Sequence, residues 1–346
     1  MAEIIQISAD KNSDFVEKLR NAVQSARLNF LFGAGASAPT IAVVGDVEIL
    51  IDKLVGEGKS KEAAKLAADF LAGFVGVTKE LQSAIKSPDI SANLELYRGF
   101  LQAVERILVA RQNTLLLRQA TVFTTNYDLY VERASDFFPN LILNDGFDRR
   151  PNLAGIHMLR PERLFDSTFH TGRRYEYRAE LPSLNLIKLH GSLSWAATEN
   201  GYRFQAWNTA SIEALALIGG DEENQSILNS AGVVLPNVTK HQKTTLEEIY
   251  YEQLRVFSNE LDVENCLLIA FGFSFSDRHL TEILKRSLRN PTLWLVVPCF
   301  LRAEVEKLDE LFNGFHNVTI IEPESDAEFD FSWLNGLLSS IVDGSI

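Results

Sequence analysis

The chain is poor in cysteine. Two residues in 346, Cys266 and Cys299, exclude a disulfide framework and a four-cysteine zinc ribbon. They read as small buried hydrophobes in a reducing compartment. No apolar run approaches the roughly 20 residues that a bilayer-spanning helix needs. The opening MAEIIQISADKNSDF lacks the basic-then-apolar order of a secretion signal. The expected setting is therefore cytoplasmic, with no membrane. Basic residues are in deficit, with 33 Lys and Arg against 46 Asp and Glu and a net charge of −13. That balance disfavours non-specific binding to nucleic acid or anionic lipid. Internal repeats and low-complexity tracts are absent. What is present is a 46% hydrophobic fraction with dilute charge. This excludes a disordered chain and suits two ordinary domains, or one large α/β domain with an inserted module.

Short apolar runs supply the organisation. Leu28–Phe32, Thr121–Thr124, Asn185–Leu189, Cys266–Phe271, Thr292–Val297 and Val318–Ile321 read as strands buried on both faces, because they lack polar alternation. Helical patterns separate several of them. Asp14–Arg27 carries Phe15, Val16, Leu19, Val23 and Ala26 at helical spacing. Leu246–Leu261 follows Thr244 and Thr245, either of which suits a cap. Arg302–Phe312 lies between the last two strands. Strand–helix alternation predicts a Rossmann-like open parallel sheet. The Rossmann-like core is expected over about 14–44, 119–143, 183–197 and 244–346, in one domain spanning 1–346. A helical module of three or so helices is expected over 45–118, with Lys61–Phe74 rich in alanine and Leu94–Val109 presenting an apolar face. Residues 144–182 and 198–243 read as loop-rich inserts. The first suits a hairpin, and the second suits a helix near Ser211–Leu217.

Four motifs stand where such strands end. Gly33-Ala34-Gly35-Ala36-Ser37 follows the first strand. Glycines there permit a tight turn and close approach to a pyrophosphate, with exposed N–H groups attracting the charge. A purely structural strand-to-helix turn is the competing reading. A dehydrogenase fingerprint also fits loosely with Ala38 in the third glycine position, but Pro39 follows, and no strand ending in an acid appears about 20 residues on. Thr124-Thr125-Asn126-Tyr127-Asp128 ends the second run. An Asn there holds a water or a ribose hydroxyl through its donor and its acceptor, or else forms an Asx turn. Lys188-Leu189-His190-Gly191-Ser192 ends the third. His190 there suits a general base, or a hydrogen-bonded structural role. Gly272-Phe273-Ser274-Phe275-Ser276-Asp277 ends the fourth. Ser274 suits a phosphate or ribose oxygen, and Ser276 or Asp277 suits a helix cap. The remaining five histidines lack such placement, and no pair has metal-ligand spacing. Singly the motifs say little. Together they converge on one crevice, because open α/β sheets bind ligands beyond their strand C-termini.

In this order the GAG-x-S turn (Gly33, Ala34, Gly35, Ser37), the T-x-N-x-D segment (Thr124, Asn126, Asp128), the HGS segment (His190, Gly191, Ser192) and the G-x-S-x-S-D turn (Gly272, Ser274, Ser276, Asp277) resemble the sirtuin-like family. The resemblance is strongest to the bacterial sirtuin-fold NAD hydrolases of anti-phage defence. It implies NAD+ as substrate, with Gly33–Ser37 under the pyrophosphate. It makes Asn126 and His190 the catalytic pair, with Thr125, Asp128, Gly272 and Ser274 as further dinucleotide contacts. It implies no metal: the four-cysteine zinc module of sirtuin deacylases is missing, and Ala38–Ala42 lacks their G-I-P-D-F-R loop. Both departures favour NAD+ glycohydrolase over deacylase. The resemblance further implies a homo-oligomer partnered by a HerA-type ATPase translocase. The 45–118 insert and Phe329–Val342 are then candidate contact surfaces, with ordinary core packing the competing reading. Arg149, Arg150, Arg160, Arg163, Arg173, Arg174 and Arg178 make the middle loops locally basic. They suit contact with phosphates of NAD+ or DNA, or a salt-bridged surface. Two other functions compete: a nucleotide-binding scaffold or sensor without turnover, and a nuclease. The nuclease would need a carboxylate cluster for metal ions, and no strand end supplies one.

Overall fold

The six expected runs all form strands, and all six lie in one sheet. In the computed structural model the strands are β1 (Glu3–Ile7), β2 (Arg27–Phe32), β3 (Gln119–Thr124), β4 (Ile142–Asn144), β5 (Phe169–His170), β6 (Ala179–Glu180), β7 (Ser183–Lys188), β8 (Gly191–Thr198), β9 (Gly201–Phe204), β10 (Ala231–Val233), β11 (Cys266–Phe271), β12 (Leu293–Pro298) and β13 (Val318–Pro323). The helices are α1 (Ser13–Ser25), α2 (Ser60–Gln82), α3 (Pro88–Ala110), α4 (Tyr130–Ser135), α5 (Thr245–Asp262), α6 (Arg278–Ser287), α7 (Val305–Leu311) and α8 (Phe331–Asp343). The structure describes residues 2–7, 13–38, 40–41, 50–111 without 52 and 55, 115–150, 152–171, 178–198, 201–205, 231–233, 245–323 and 328–343. The helix expected near Ser211–Leu217, the cap at Thr244 and the arginines 173 and 174 lie outside these residues.

Eight strands form the main sheet in the order β1-β13-β12-β11-β2-β3-β7-β4, and every pair in it is parallel. This is the Rossmann-like α/β arrangement. The chain leaves β2 toward β3 and β7, and later returns to β2's other side through β11. The topological switch point therefore lies between β2 and β11, where open α/β sheets place a ligand crevice. One face of the sheet carries Phe30, Phe32, Val122, Leu186 and Ile269 against α1, α3 and α8. The other carries Leu31, Phe123, Ile187, Leu268 and Ala270 against α5, α6 and α7. Burial on both faces is what makes β7 and β11 continuously apolar save for Ser183, Asn185 and Lys188.

Within the 45–118 insert, α2 and α3 are the long helices among the described residues. Arg111 ties the insert's far end to the core: its Nη2 donates to Val23 O (3.0 Å) and Ala26 O (3.2 Å) at the end of α1. Cationic donors suit the carbonyl end of a helix. The apolar face of α3 is buried against α8. Phe331 meets the Tyr97 ring at 4.8 Å, and Asn335 Nδ2 donates to Leu96 O at 2.8 Å. The core-packing reading of these two helices is thus the correct one for their apolar faces.

The structure adds strands that the pattern did not announce. Glu3–Ile7 mixes polar and apolar residues and takes the edge beside β13. A separate three-stranded antiparallel sheet, β10-β8-β9, follows β7. The hairpin expected in 144–182 corresponds to the antiparallel pair β5–β6. Among the described residues no helix is long and apolar enough to cross a membrane.

Candidate functional site

Register brings the four motifs to one rim. Phe271 pairs with Phe32, Phe32 with Thr124, and Thr124 with Lys188, so one row crosses the four adjacent strands β11, β2, β3 and β7. Each motif continues beyond that row. Asn126 and His190 stand at matching positions, two residues past the row-mates Thr124 and Lys188. Backbone bonds carry the register into the turns: Thr125 N donates to Phe32 O (3.1 Å), and Leu189 N donates to Thr124 O (2.8 Å).

The turns after β2 and β11 interlock. Gly33 N donates to Phe271 O (3.1 Å), Gly35 N to Gly272 O (2.9 Å) and Ala36 N to Gly33 O (3.0 Å). A Cβ on Gly272 would stand 2.4 Å from Ala36 N, and one on Gly33 would stand 2.4 Å from Gly272 O. Gly272 also has φ +62°, where an L side chain is strained. These glycines are therefore required for the approach of one turn to the other. Two roles are expected of Gly33 and Gly35: exposed N–H groups toward a pyrophosphate, or a structural turn. Their N–H groups, and that of Ala36, are accepted within the protein. What the rim leaves open to solvent is Gly35, Ser274 and Ser276, with Ala34, Thr125, His190, Gly272 and Phe273 half-buried. Ser274 and Ser276 share a hydrogen bond of 2.7 Å. Phe275 between them has φ +57°, a sparsely populated conformation for a non-glycine residue.

Asn126 is 6% exposed and is held from below. Its Nδ2 donates to Gly33 O (2.9 Å) and to Ser37 Oγ (3.1 Å). Both amide hydrogens are thus committed, and the amide oxygen is the atom available to a ligand. The side chain can thus offer a ligand only an acceptor, where the sequence alone leaves both roles open. Ser37 Oγ in turn donates its single hydrogen to Asp128 Oδ2 (2.7 Å), so the 2.8 Å contact with Tyr97 must have the phenol as donor. Burial, and secondly the Asp128 charge, push the Tyr97 phenol well above its ordinary range, so it keeps that proton. Asp128 Oδ1 accepts from Tyr130 N (3.1 Å). Asp128 is buried with both oxygens taken, and it reaches Asn126 through Ser37.

His190 is held by a different partner. Its Nε2 lies 3.0 Å from Asp277 Oδ2, and Asp277 Oδ1 caps α6 by accepting from Leu280 N at 3.1 Å. Burial pushes the Asp277 carboxyl up. The His190 imidazole and the α6 backbone N–H groups outweigh it and hold the carboxyl below its ordinary range. The Tyr250 ring of α5 lies 6.3 Å from the imidazole. Gly191, at φ +82°, makes the turn into β8 that follows. The structure thus gathers Gly33, Ser37, Asn126 and Asp128 into one bonded group and His190 with Asp277 into another. The interlocked turns bridge the two.

Three residues with site roles were missed in the sequence. Lys188, 4% exposed, donates to Asn126 O (3.4 Å) and Asp128 O and pairs with Glu132 Oε1 at 3.3 Å. Burial raises the Glu132 carboxyl above its ordinary range against the opposing pull of Lys188. A lysine inside L-I-K-L-H was the available signal for this pair, since buried charges require partners. Tyr97 gave no separate signal, because it continues the apolar stripe of α3. Among the described middle arginines, three carry ion pairs with nearby aspartates. Arg150 and Arg163 both pair with Asp148, and Arg149 pairs with Asp145. Among the described residues no group of three His, Cys, Asp or Glu is placed to hold a metal ion.

The SIR2-like domain family matches residues 120–313, which contain β3, β7, β11 and three of the four motifs. The chain belongs to the SIR2-like family. No curated protein matches it. SIR2-like domains are generally NAD-dependent enzymes, so membership implies NAD+ use. The first motif, Gly33–Ser37, lies outside the matched segment. It joins the SIR2-like site through its bonds to Gly272 and Asn126. Exposed Gly35 and Ser274, with half-buried Thr125 and His190, lie beyond the strand ends, where open α/β sheets receive a ligand.

Proposed function

We propose that this SIR2-like chain is an NAD+ glycohydrolase, releasing nicotinamide and ADP-ribose, and that it serves as an NAD-depleting effector of bacterial antiviral defence in the cytoplasm. The observation that carries the reading is the matched placement of Asn126 and His190 on adjacent strands, one positioned by the β2 turn and the other by the β11 turn. A binding module needs neither residue. Nicotinamide departs from NAD+ as a neutral molecule, so no general acid is required at the leaving group. The transition state is oxocarbenium-like, as in other glycosyl hydrolyses. The contributions left to the protein are orientation and proton removal. The Asn126 amide oxygen accepts from the attacking water or a ribose hydroxyl and so aims it. His190 takes the proton.

A hydrolase of this kind requires control. By the resemblance of its motifs, a homo-oligomer partnered by a HerA-type ATPase translocase supplies that control, with DNA contact arising within the complex. The test is nicotinamide release from NAD+ by the purified protein, alone and with such an ATPase. Asn126→Ala and His190→Ala are expected to lose release by roughly 10²- to 10⁴-fold while still binding NAD+. Full turnover in both variants would refute the assignment. NAD+ binding without release by the wild type under either condition would favour the scaffold reading.

A further inference from the structure

We infer that Asp277 is a positioning residue that fixes which nitrogen of His190 works: it holds the Nε2–H tautomer and leaves Nδ1 as the base. This rests on the role proposed for His190 above. The helix cap expected of Asp277 is present, but it occupies only Oδ1. Oδ2 is turned to the imidazole, 3.0 Å from Nε2. The two residues are 87 positions apart in the chain, and they meet because β11 and β7 end on the same rim.

An ionised carboxylate has no hydrogen to give. Asp277 is kept ionised by the imidazole and by the first N–H groups of α6, which its other oxygen caps. The bond to His190 therefore requires the hydrogen on Nε2, and a neutral imidazole with that hydrogen carries its lone pair on Nδ1. The same carboxylate stabilises the imidazolium formed when Nδ1 takes a proton. No atom of Asp277 needs to touch substrate for this. A carboxylate that orients a histidine base is a recurrent device, and its removal is costly because the ring then adopts the wrong tautomer. Seating that carboxylate on a helix N-terminus fixes the imidazole to α6, an element packed in the core through Leu280 and Leu284.

The test separates this role from capping. Asn and Ser cap helices about as well as Asp, so Asp277→Asn and Asp277→Ser should fold with nearly wild-type stability. Neither supplies a charge to Nε2. Both are expected to lower kcat for nicotinamide release by roughly 10²-fold or more, with KM changed little. In the resting full-length protein, long-range ¹H–¹⁵N correlation of histidine side chains, assigned with His190→Gln, is expected to show the Nε2–H tautomer for His190. That spectrum needs no turnover, so it judges the inference even if the chain releases no nicotinamide, which would sink the proposed function alone. An Nδ1–H tautomer in the wild type, or wild-type kcat in either folded Asp277 variant, overturns the inference.

Discussion

Ser37 Oγ lies 2.7 Å from Asp128 Oδ2, and this bond sets the direction of every other hydrogen bond around it. With its one hydrogen given to the carboxylate, the serine accepts twice, from Asn126 Nδ2 and from the Tyr97 phenol. The Asn126 amide then has a single orientation, with its nitrogen toward the protein. The helical insert thus reaches the rim through Tyr97 of α3.

Tyr97→Phe tests that contribution. It keeps the ring stack with Tyr130 (5.1 Å, interplanar angle 4°) and removes only the donor. The expected loss is about 1–2 kcal/mol in stability, measured by urea unfolding, because Ser37 keeps an unfilled acceptor site in a buried setting. Nicotinamide release is expected to fall roughly tenfold in kcat, equivalent to about 1.4 kcal/mol, with NAD+ affinity unchanged. Unaltered kcat would mean that the chain from Tyr97 does not hold Asn126.

Gly272→Ala addresses the interlocked turns. The new Cβ would meet Ala36 N at 2.4 Å with φ at +62°. Backbone on both sides leaves no flexible atom to yield. A loss of roughly 2–5 kcal/mol is expected from strain and overpacking together. Denaturant unfolding checks it, and a wild-type midpoint would contradict the close approach of the turns.

Lys188→Met strands Glu132 in the core, with an expected cost of about 3–5 kcal/mol near neutral pH. The sign with pH follows from the raised Glu132 carboxyl. An acid whose folded-state pKa lies above its ordinary 4.5 binds its proton more readily folded than unfolded, so its burden on stability eases as pH falls through the raised value toward 4.5. Without Lys188 that value rises further. The gap between wild type and variant should therefore narrow on acidification and vanish in large part in Lys188→Met with Glu132→Leu. A gap independent of pH would assign the loss to packing.

The two thiols offer a check on the core. Burial pushes Cys266 and Cys299 up to about 12, with nearby carboxylates adding to it. At pH 8 both should resist a disulfide reagent in the folded protein and react together on unfolding. Prompt labelling of either native thiol would show that its strand opens locally.

The parallel sheet was legible because strands covered on both faces are written as unbroken apolar runs: Cys266–Phe271 was bounded to the residue. Edge and antiparallel strands carry no such mark. Glu3–Ile7 and Gly191–Thr198 depend on partners far along the chain or in a second sheet. The convergence of the four turns was readable for a topological reason, since parallel strands all end on one rim. The bonding within the rim was not. Nothing in Gly33 or Gly272 as letters says that their partner is another turn rather than a phosphate. Tyr97 looks in sequence like one more residue of a buried stripe. Asp277 was legible as a cap, but its second oxygen becomes informative only when His190 is placed beside it.

The central position of β11, between β2 and β12, has a consequence during synthesis. β2 is made early and β11 about 240 residues later, yet they are neighbours whose end-loops pack against each other. A nascent chain short of residue 272 lacks the turn that packs on Gly33, and one short of 277 lacks the carboxylate bonded to His190. The bonded rim of the sheet can therefore close only once residue 277 has emerged, however early β2 was made.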